Sequence, residues 1–240
     1  MALCSPWRTV GNTNRTQLRV WDAGRAVVVH DDASALVYGA RFERDGAVLL
    51  VAADRRGLTG VRLADGALLG AALPHVGGLD GAATDTTTGR WWVPGAKKGV
   101  LLEVASEGGP PVEHALKLKV PLAAVAMGGG ALIVLDRASV LRRVSPEKPA
   151  AAAWTLDLAA RYPTLGRIAV PPLLCTDDGA RVVVRGGSDE AHPWGVDFVV
   201  DAASGEIVAV LERFQGRGLF TSARGGRALL TAAGGVVEVG

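Results

Sequence analysis

The sequence predicts an all-β chain made of repeated four-stranded units, and three observations carry that prediction. A short strand, a glycine turn and an apolar strand recur in register as "ARFERDGAVLLVAA", "AATDTTTGRWWVPG", "LAAVAMGGGALIVLD", "PLLCTDDGARVVVRG" and "LFTSARGGRALLTAA". The turn glycines Gly46, Gly89, Gly130, Gly179 and Gly226 stand 43, 41, 49 and 47 residues apart. The 32 glycines and the 5% aromatic content suit tight turns and small interior side chains rather than long amphipathic helices. A repeat of about 40 to 50 residues is the period of a propeller blade, so the expected fold is a β-propeller of about five four-stranded blades, with six possible.

Within each unit the elements follow in order. The first turn is a hairpin, and Asp45-Gly46 and Asp178-Gly179 carry the dipeptide whose second residue readily takes positive φ. The strand after it is a continuous apolar run ("AVLLVAA", "RWWV", "ALIVL", "ARVVV", "RALLTA"), the mark of a strand covered on both faces. A second hairpin leads to a more alternating strand ("GVRLA", "VLLEV", "VLRRV", "GVDFVV", "VVEV"), expected to have one wetter face. A fourth, less apolar strand closes most units ("GALLGAAL", "VEHALKL", "AAAWTLDL", "GEIVAVLERF"). The last unit supplies only three strands, while "LRVWD" and "AVVVH" near the N-terminus belong to no complete unit. The expected closure is therefore an N-terminal strand pairing with the C-terminal blade, which removes two exposed sheet edges.

Leu18 to Leu73 resembles the WD-repeat family. "LRVWDAGRAVVVHDD" matches its third strand, Trp-Asp end and fourth strand, and Trp21, Asp22, Phe42, Asp45 and Gly46 stand where its motif expects them. In later units the Trp-Asp position becomes Ala64-Asp65, then Val104-Ala105, with an aspartate again at Val200-Asp201, and the Gly-His signature is absent. The resemblance implies a propeller with degenerate repeats and a docking face formed by the hairpins between second and third strands together with the connections between blades.

The 240 residues are expected to form one propeller domain, with 1–15 an extended or loosely ordered segment. A formal charge of +2 does not advertise nucleic-acid binding by bulk electrostatics. Met1 to Val10 has no apolar stretch of signal-peptide length, and no run approaches the roughly 18 to 20 residues of a membrane span, so a cytoplasmic protein with no membrane partner is expected. Cys4 lacks the hydrophobic region of a lipid-attachment site, and Cys175 in "PPLLC" reads as a small buried thiol. The composition, heavy in Ala, Gly, Arg and Val, points to a bacterial source with a GC-rich genome.

No catalytic, cofactor or metal motif emerges. His30, His75, His114 and His192 lie in different units without metal-ligand spacing, and no G-x-S-x-G elbow or phosphate-cradling loop occurs. Asp32, Asp80 and Asp136 are the acids nearest plausible strand starts or ends, where the paired acids of a carbohydrate-active propeller would be sought, but turn and cap duty is the favoured reading of such aspartates. Trp91 and Trp92 are adjacent and so face opposite sides of one strand, which suits packing on both faces.

The candidate contact residues are Arg55, Arg56, Lys97 and Lys98, in equivalent hairpins of consecutive units, and Asp189, Glu190 and Trp194 in the longest hairpin insertion. They suggest a face basic on one side and acidic on the other. The function expected is a non-catalytic protein-protein interaction scaffold, a subunit or accessory component of a multiprotein complex, requiring no cofactor and working with protein partners. Two alternatives stand beside it: a small-ligand or carbohydrate-binding or hydrolysing propeller using its central cavity, and an anion or nucleic-acid binder using Arg55, Arg56, Lys97 and Lys98.

Overall fold

Antiparallel strands dominate the regular structure of the described residues in the computed structural model. The structure describes the backbone of the strands between Leu3 and Val239, and side chains at 60–65, 67, 69, 81–85, 87–105, 110–167, 173–176 and 178–213. The N-terminal strands β1 (Leu3–Cys4), β2 (Trp7–Val10), β3 (Thr13–Asp22) and β4 (Arg25–Asp32) form a sheet in which β3 pairs with β1, β2 and β4. The next sheet runs in chain order: β5 (Val37–Glu43), β6 (Val48–Ala53), β7 (Gly57–Arg62), β8 (Leu68–Leu73). β9 (Ala83–Thr84), β10 (Trp91–Pro94), β11 (Val100–Val104) and β12 (Val112–Ala115) make the third.

The fourth sheet comprises β13 (Leu122–Gly128), β14 (Ala131–Asp136), β15 (Val140–Ser145) and β16 (Lys148–Asp157), followed by one helical turn, α1 (Leu158–Arg161). The fifth comprises β17 (Leu173–Cys175), β18 (Arg181–Arg185), β19 (Val196–Asp201) and β20 (Ile207–Glu212), and β21 (Thr221–Ala223), β22 (Arg227–Ala232) and β23 (Gly235–Val239) form a three-stranded last sheet. Each of the second to sixth sheets is a meander of successive hairpins, the connection that costs least loop entropy. Among the first turns that are described, Gly89, Gly130 and Gly179 have φ of 69°, 71° and 70°, the left-handed conformation the repeat requires of them. Gly46 and Gly226 lie outside the described residues.

β3 and β4 pair from Thr16↔Asp32 to Asp22↔Arg25, and the expected pairing of an N-terminal strand with the C-terminal blade is not among the described ladders. One expectation is corrected: in the fifth sheet the wetter strand is the fourth, not the third. β19 is buried at every position from Val196 to Val200, including Asp197, while β20 alternates between half-buried and exposed.

The chain divides into two compact units, Met1–Leu79 with Thr86–Trp91 and Glu103–Val112, and Asp80–Asp85 with Trp92–Leu102 and Glu113–Gly240. In the first, the indole of Trp91 is buried against the backbone of Gly60, where any Cβ would collide with Cη2. In the second, Ile133, Leu135 and Leu141 pack with Val182, Val184, Val196 and Phe198, and on its other face the fourth sheet packs Leu132, Val134 and Val144 with Trp92, Leu101 and Leu116. All six residues of β14 are consequently buried, as the continuous apolar run predicts. Trp91 and Trp92 are both buried, as adjacent residues of one strand covered on two faces must be.

Candidate functional site

Three hairpins between second and third strands of the second unit share one construction: each is hydrogen-bonded at its base to the chain that connects neighbouring sheets. Between β10 and β11, Gly99, at φ 63°, donates from N to Val120 O (3.0 Å) and accepts at O from Leu116 N (2.8 Å). Between β14 and β15, Arg137 N donates to Pro121 O (3.0 Å) and Leu158 N to Ser139 O (3.1 Å). Between β18 and β19, Gly187 N donates to Leu165 O (2.6 Å). Each of these hairpins is therefore tied to the connection beside it.

The insertion 186–195 is the most elaborate of the three. Its neck is closed by Gly186 N to Val196 O (2.8 Å) and Val196 N to Gly187 O (3.2 Å). Within it, Asp189 accepts at Oδ1 from His192 N (2.8 Å), lies 3.0 Å from His192 Nδ1, and accepts at Oδ2 from Thr164 Oγ1 (3.1 Å). The hydrogen bond from His192 holds the Asp189 carboxyl below the usual carboxylate range, so it is anionic at neutral pH. Gly195, at φ 83°, donates to His192 O (2.9 Å) and accepts from Arg213 N (2.9 Å), and Arg213 Nη2 reaches across to Gly186 O (2.8 Å). The loop is thus pinned at both ends and at its middle, leaving Trp194 half exposed at 50%.

Behind the loop, Asp197 is 1% exposed and lies 3.9 Å from Arg213 Nε. Burial pushes its carboxyl up to about 6, against the opposing pull of Arg213 and Arg185. In front, a groove of about 910 Å³ opens between Pro163, Thr164 and Arg167 on the connection after α1 and Gly187 to Ala191 on the hairpin. α1 sets that wall: Asp157 caps it by accepting from Ala160 N (2.8 Å), and the turn continues through Tyr162 N to Leu158 O (2.8 Å) and Gly166 N to Tyr162 O (2.6 Å). The Tyr162 ring then stands 5.1 Å from Phe198, which fixes the connection to the core.

The structure brings Asp189, Glu190 and Trp194 together on this hairpin, with Glu190 exposed in the groove. Lys97 and Lys98 are exposed on the equivalent hairpin of the third sheet, where Lys97 Nζ pairs with Glu113 at 2.8 Å. Arg55 and Arg56 lie outside the described residues. Thr164, Arg167, Asp197 and Arg213 were not singled out by sequence, and His192 was weighed there only as a metal ligand. The first two meet the hairpin only through tertiary pairing, and the only hint for Asp197 was a lone acid inside "GVDFVV".

Asp136 is a turn residue. It is buried, accepts at Oδ1 from Ala138 N (2.9 Å) and Val140 N (3.1 Å), and binds Arg142 at Oδ2 (2.6 Å). The side chain of Asp32 and all of Asp80 lie outside the described residues. Asp201 has similar duty: it accepts from Ala203 N (3.0 Å), Ser204 N (2.9 Å) and Ser204 Oγ (3.0 Å) and pairs with Arg181. Burial pushes the Cys175 thiol up to about 12, so it stays protonated. Among the described residues, no group of three His, Cys, Asp or Glu side chains is placed to hold a metal, and no helix is long and apolar enough to cross a membrane.

Neither a family profile nor a curated protein matches the sequence. Solved structures do match. A chain from the crystal structure of a mitotic checkpoint complex superposes with a TM-score of 0.58 over 95% of this chain and 74% of that one, at 12% identity. The dihydro-heme d1 dehydrogenase NirN, solved in complex with DHE, superposes with a TM-score of 0.53 over 83% of this chain and 42% of its own, at 18% identity. Both are propellers, and at such identities the likeness concerns the fold alone. With its antiparallel meanders and, among the described residues, one helical turn, the chain is an all-β propeller.

Proposed function

We propose that this chain, 1–240 as one domain of degenerate WD repeats, is a non-catalytic scaffold that docks a protein partner on the rim carrying Lys97, Lys98, Asp189, Glu190 and Trp194. The observation that carries the reading is Trp194: half exposed, on a hairpin braced by Asp189, His192 and Arg213. An aromatic side chain held rigid at the surface loses little entropy on binding, and tryptophan dominates interface hot spots. The superposable chain from a multiprotein checkpoint complex agrees with such a role in general terms. Polyanion binding through the lysines has less support, since Lys97 is already neutralised by Glu113.

The test is affinity purification of the tagged protein from its native host, with the mass of the eluted assembly determined. The expected result is a stoichiometric partner that is lost in Trp194→Ala; a monomer eluting alone would refute the reading.

A further inference from the structure

β20 ends the fifth sheet, and among the described ladders it pairs only with β19. Val208 and Val210 are 50% and 40% exposed there, and Glu206 and Glu212, at either end, are exposed and have no ion pair among the described residues. The free side of the backbone can be assigned. Arg213 N donates to Gly195 O (2.9 Å), one step beyond the pair Val196↔Glu212, so Ala209 and Leu211 bond toward β19 while the N-H and C=O of Val210 and Glu212 point away from it. The outer strands of the neighbouring sheets are blunted: β12 has four residues with Glu113 held by Lys97, and β16 carries Pro149 and turns Trp154 inward to Ala202 O.

We propose that the edge of β20 accepts an added strand from a protein partner, one that alternates apolar residues against Val208 and Val210 and sets lysine or arginine against Glu206 and Glu212. The proposal goes beyond the rim reading and names a second surface. Main-chain bonds to Val210 and Glu212 supply affinity, and the alternate side chains supply selectivity. Charge decides against a second copy of this chain, because antiparallel self-pairing centred on Ala209 sets Glu206 opposite Glu212. The ladder shift between Val199 and Val200 leaves Val208 as an extra residue, a bulge that bends the edge and discourages indiscriminate stacking.

Isothermal titration of the full chain with the capped peptide Lys-Thr-Val-Thr-Val-Thr-Lys, at about 150 mM salt, tests the edge. It is expected to bind about ten-fold more tightly than Glu-Thr-Val-Thr-Val-Thr-Glu, and the order is expected to reverse in the double variant Glu206→Lys and Glu212→Lys. Methylating the valine nitrogens of the peptide is expected to abolish binding and methylating the threonine nitrogens to spare it, since only the valine N-H groups face the edge. Val210→Thr is expected to weaken binding several-fold while keeping the parent circular dichroism. No binding of the lysine peptide, equal affinity for both peptides, or indifference to valine methylation overturns the proposal. So does a dimer in sedimentation that Val210→Thr disperses, which would make the edge a self-association site. Peptide binding lost in Trp194→Ala would move the site to the rim and overturn it too, whereas a host partner held through Trp194 with no peptide bound would sink the edge and leave the rim reading standing.

Discussion

Asp197 carries the least comfortable charge among the described residues. Its carboxyl is raised from 3.8 to about 6 because burial outweighs the neighbouring guanidinium groups, so the folded protein holds a proton that the unfolded chain has released. Stability contributed by that proton is present in full below about pH 4 and is lost as pH rises toward about 6. In Asp197→Asn this fall disappears. Denaturant midpoints measured from pH 4 to pH 7.5 are expected to show the parent losing up to about 3 kcal/mol relative to the variant across that window. Asp136 is the opposite case, a buried acid satisfied by two backbone N-H groups and Arg142. Asp136→Ala strands the guanidinium and is expected to cost about 3 kcal/mol in chemical denaturation, near the figure for breaking a buried pair. Both residues look alike in sequence, a lone aspartate at or within an apolar strand. What separates them is whether the next residues turn back to offer N-H groups, and "LDRAS" does while "VDFVV" does not.

At the scale of the element, glycine decides how closely strands and loops approach. Gly60 in β7 gives Trp91 its place, with Cζ2 at 2.7 Å from where a Cβ would sit. Gly60→Ala is therefore expected to lower stability by about 1 to 3 kcal/mol, the usual cost of overpacking, read as a reduced denaturation midpoint and a red shift in tryptophan emission. Strand identity and order were legible because they rest on local pattern: apolar run, turn glycine, apolar run. β11 matches "VLLEV" residue for residue, and β19 and β20 start within two residues of the predicted runs. The groove was not legible. It depends on Thr164 and Arg167 meeting Gly187 through one backbone hydrogen bond between segments 22 residues apart, Gly187 N to Leu165 O, and no periodicity announces such a meeting. The placement of Asp189, Glu190 and Trp194 on one exposed hairpin was legible, because an insertion rich in polar residues between two apolar strands has nowhere else to go.

For the molecule as a whole, a formal charge of +2 spread over 26 basic and 24 acidic residues leaves little field to steer a polyanion. Retention on heparin is expected to end below physiological ionic strength, and reversing Lys97 and Lys98 to glutamate is expected to move the elution point only slightly, since Lys97 is paired with Glu113. A strong shift would instead restore the basic rim as a binding site.

The hairpins of the rim are tied to the connections by backbone hydrogen bonds at Gly99, Arg137, Ser139 and Gly187, and the longest also by the side chain of Asp189 to Thr164. These ties and the remaining loop residues therefore answer to different demands. Between Gly187 and Gly195 the residues other than Asp189 and His192 can be exchanged without disturbing either the braces of the loop or the pairing of Arg185 with Asp197 that holds β18 to β19. That makes the insertion a socket for grafting: a foreign binding loop joined at these two glycines would inherit a rigid seat, and the neighbouring hairpins would offer two further sockets on the same side of the unit.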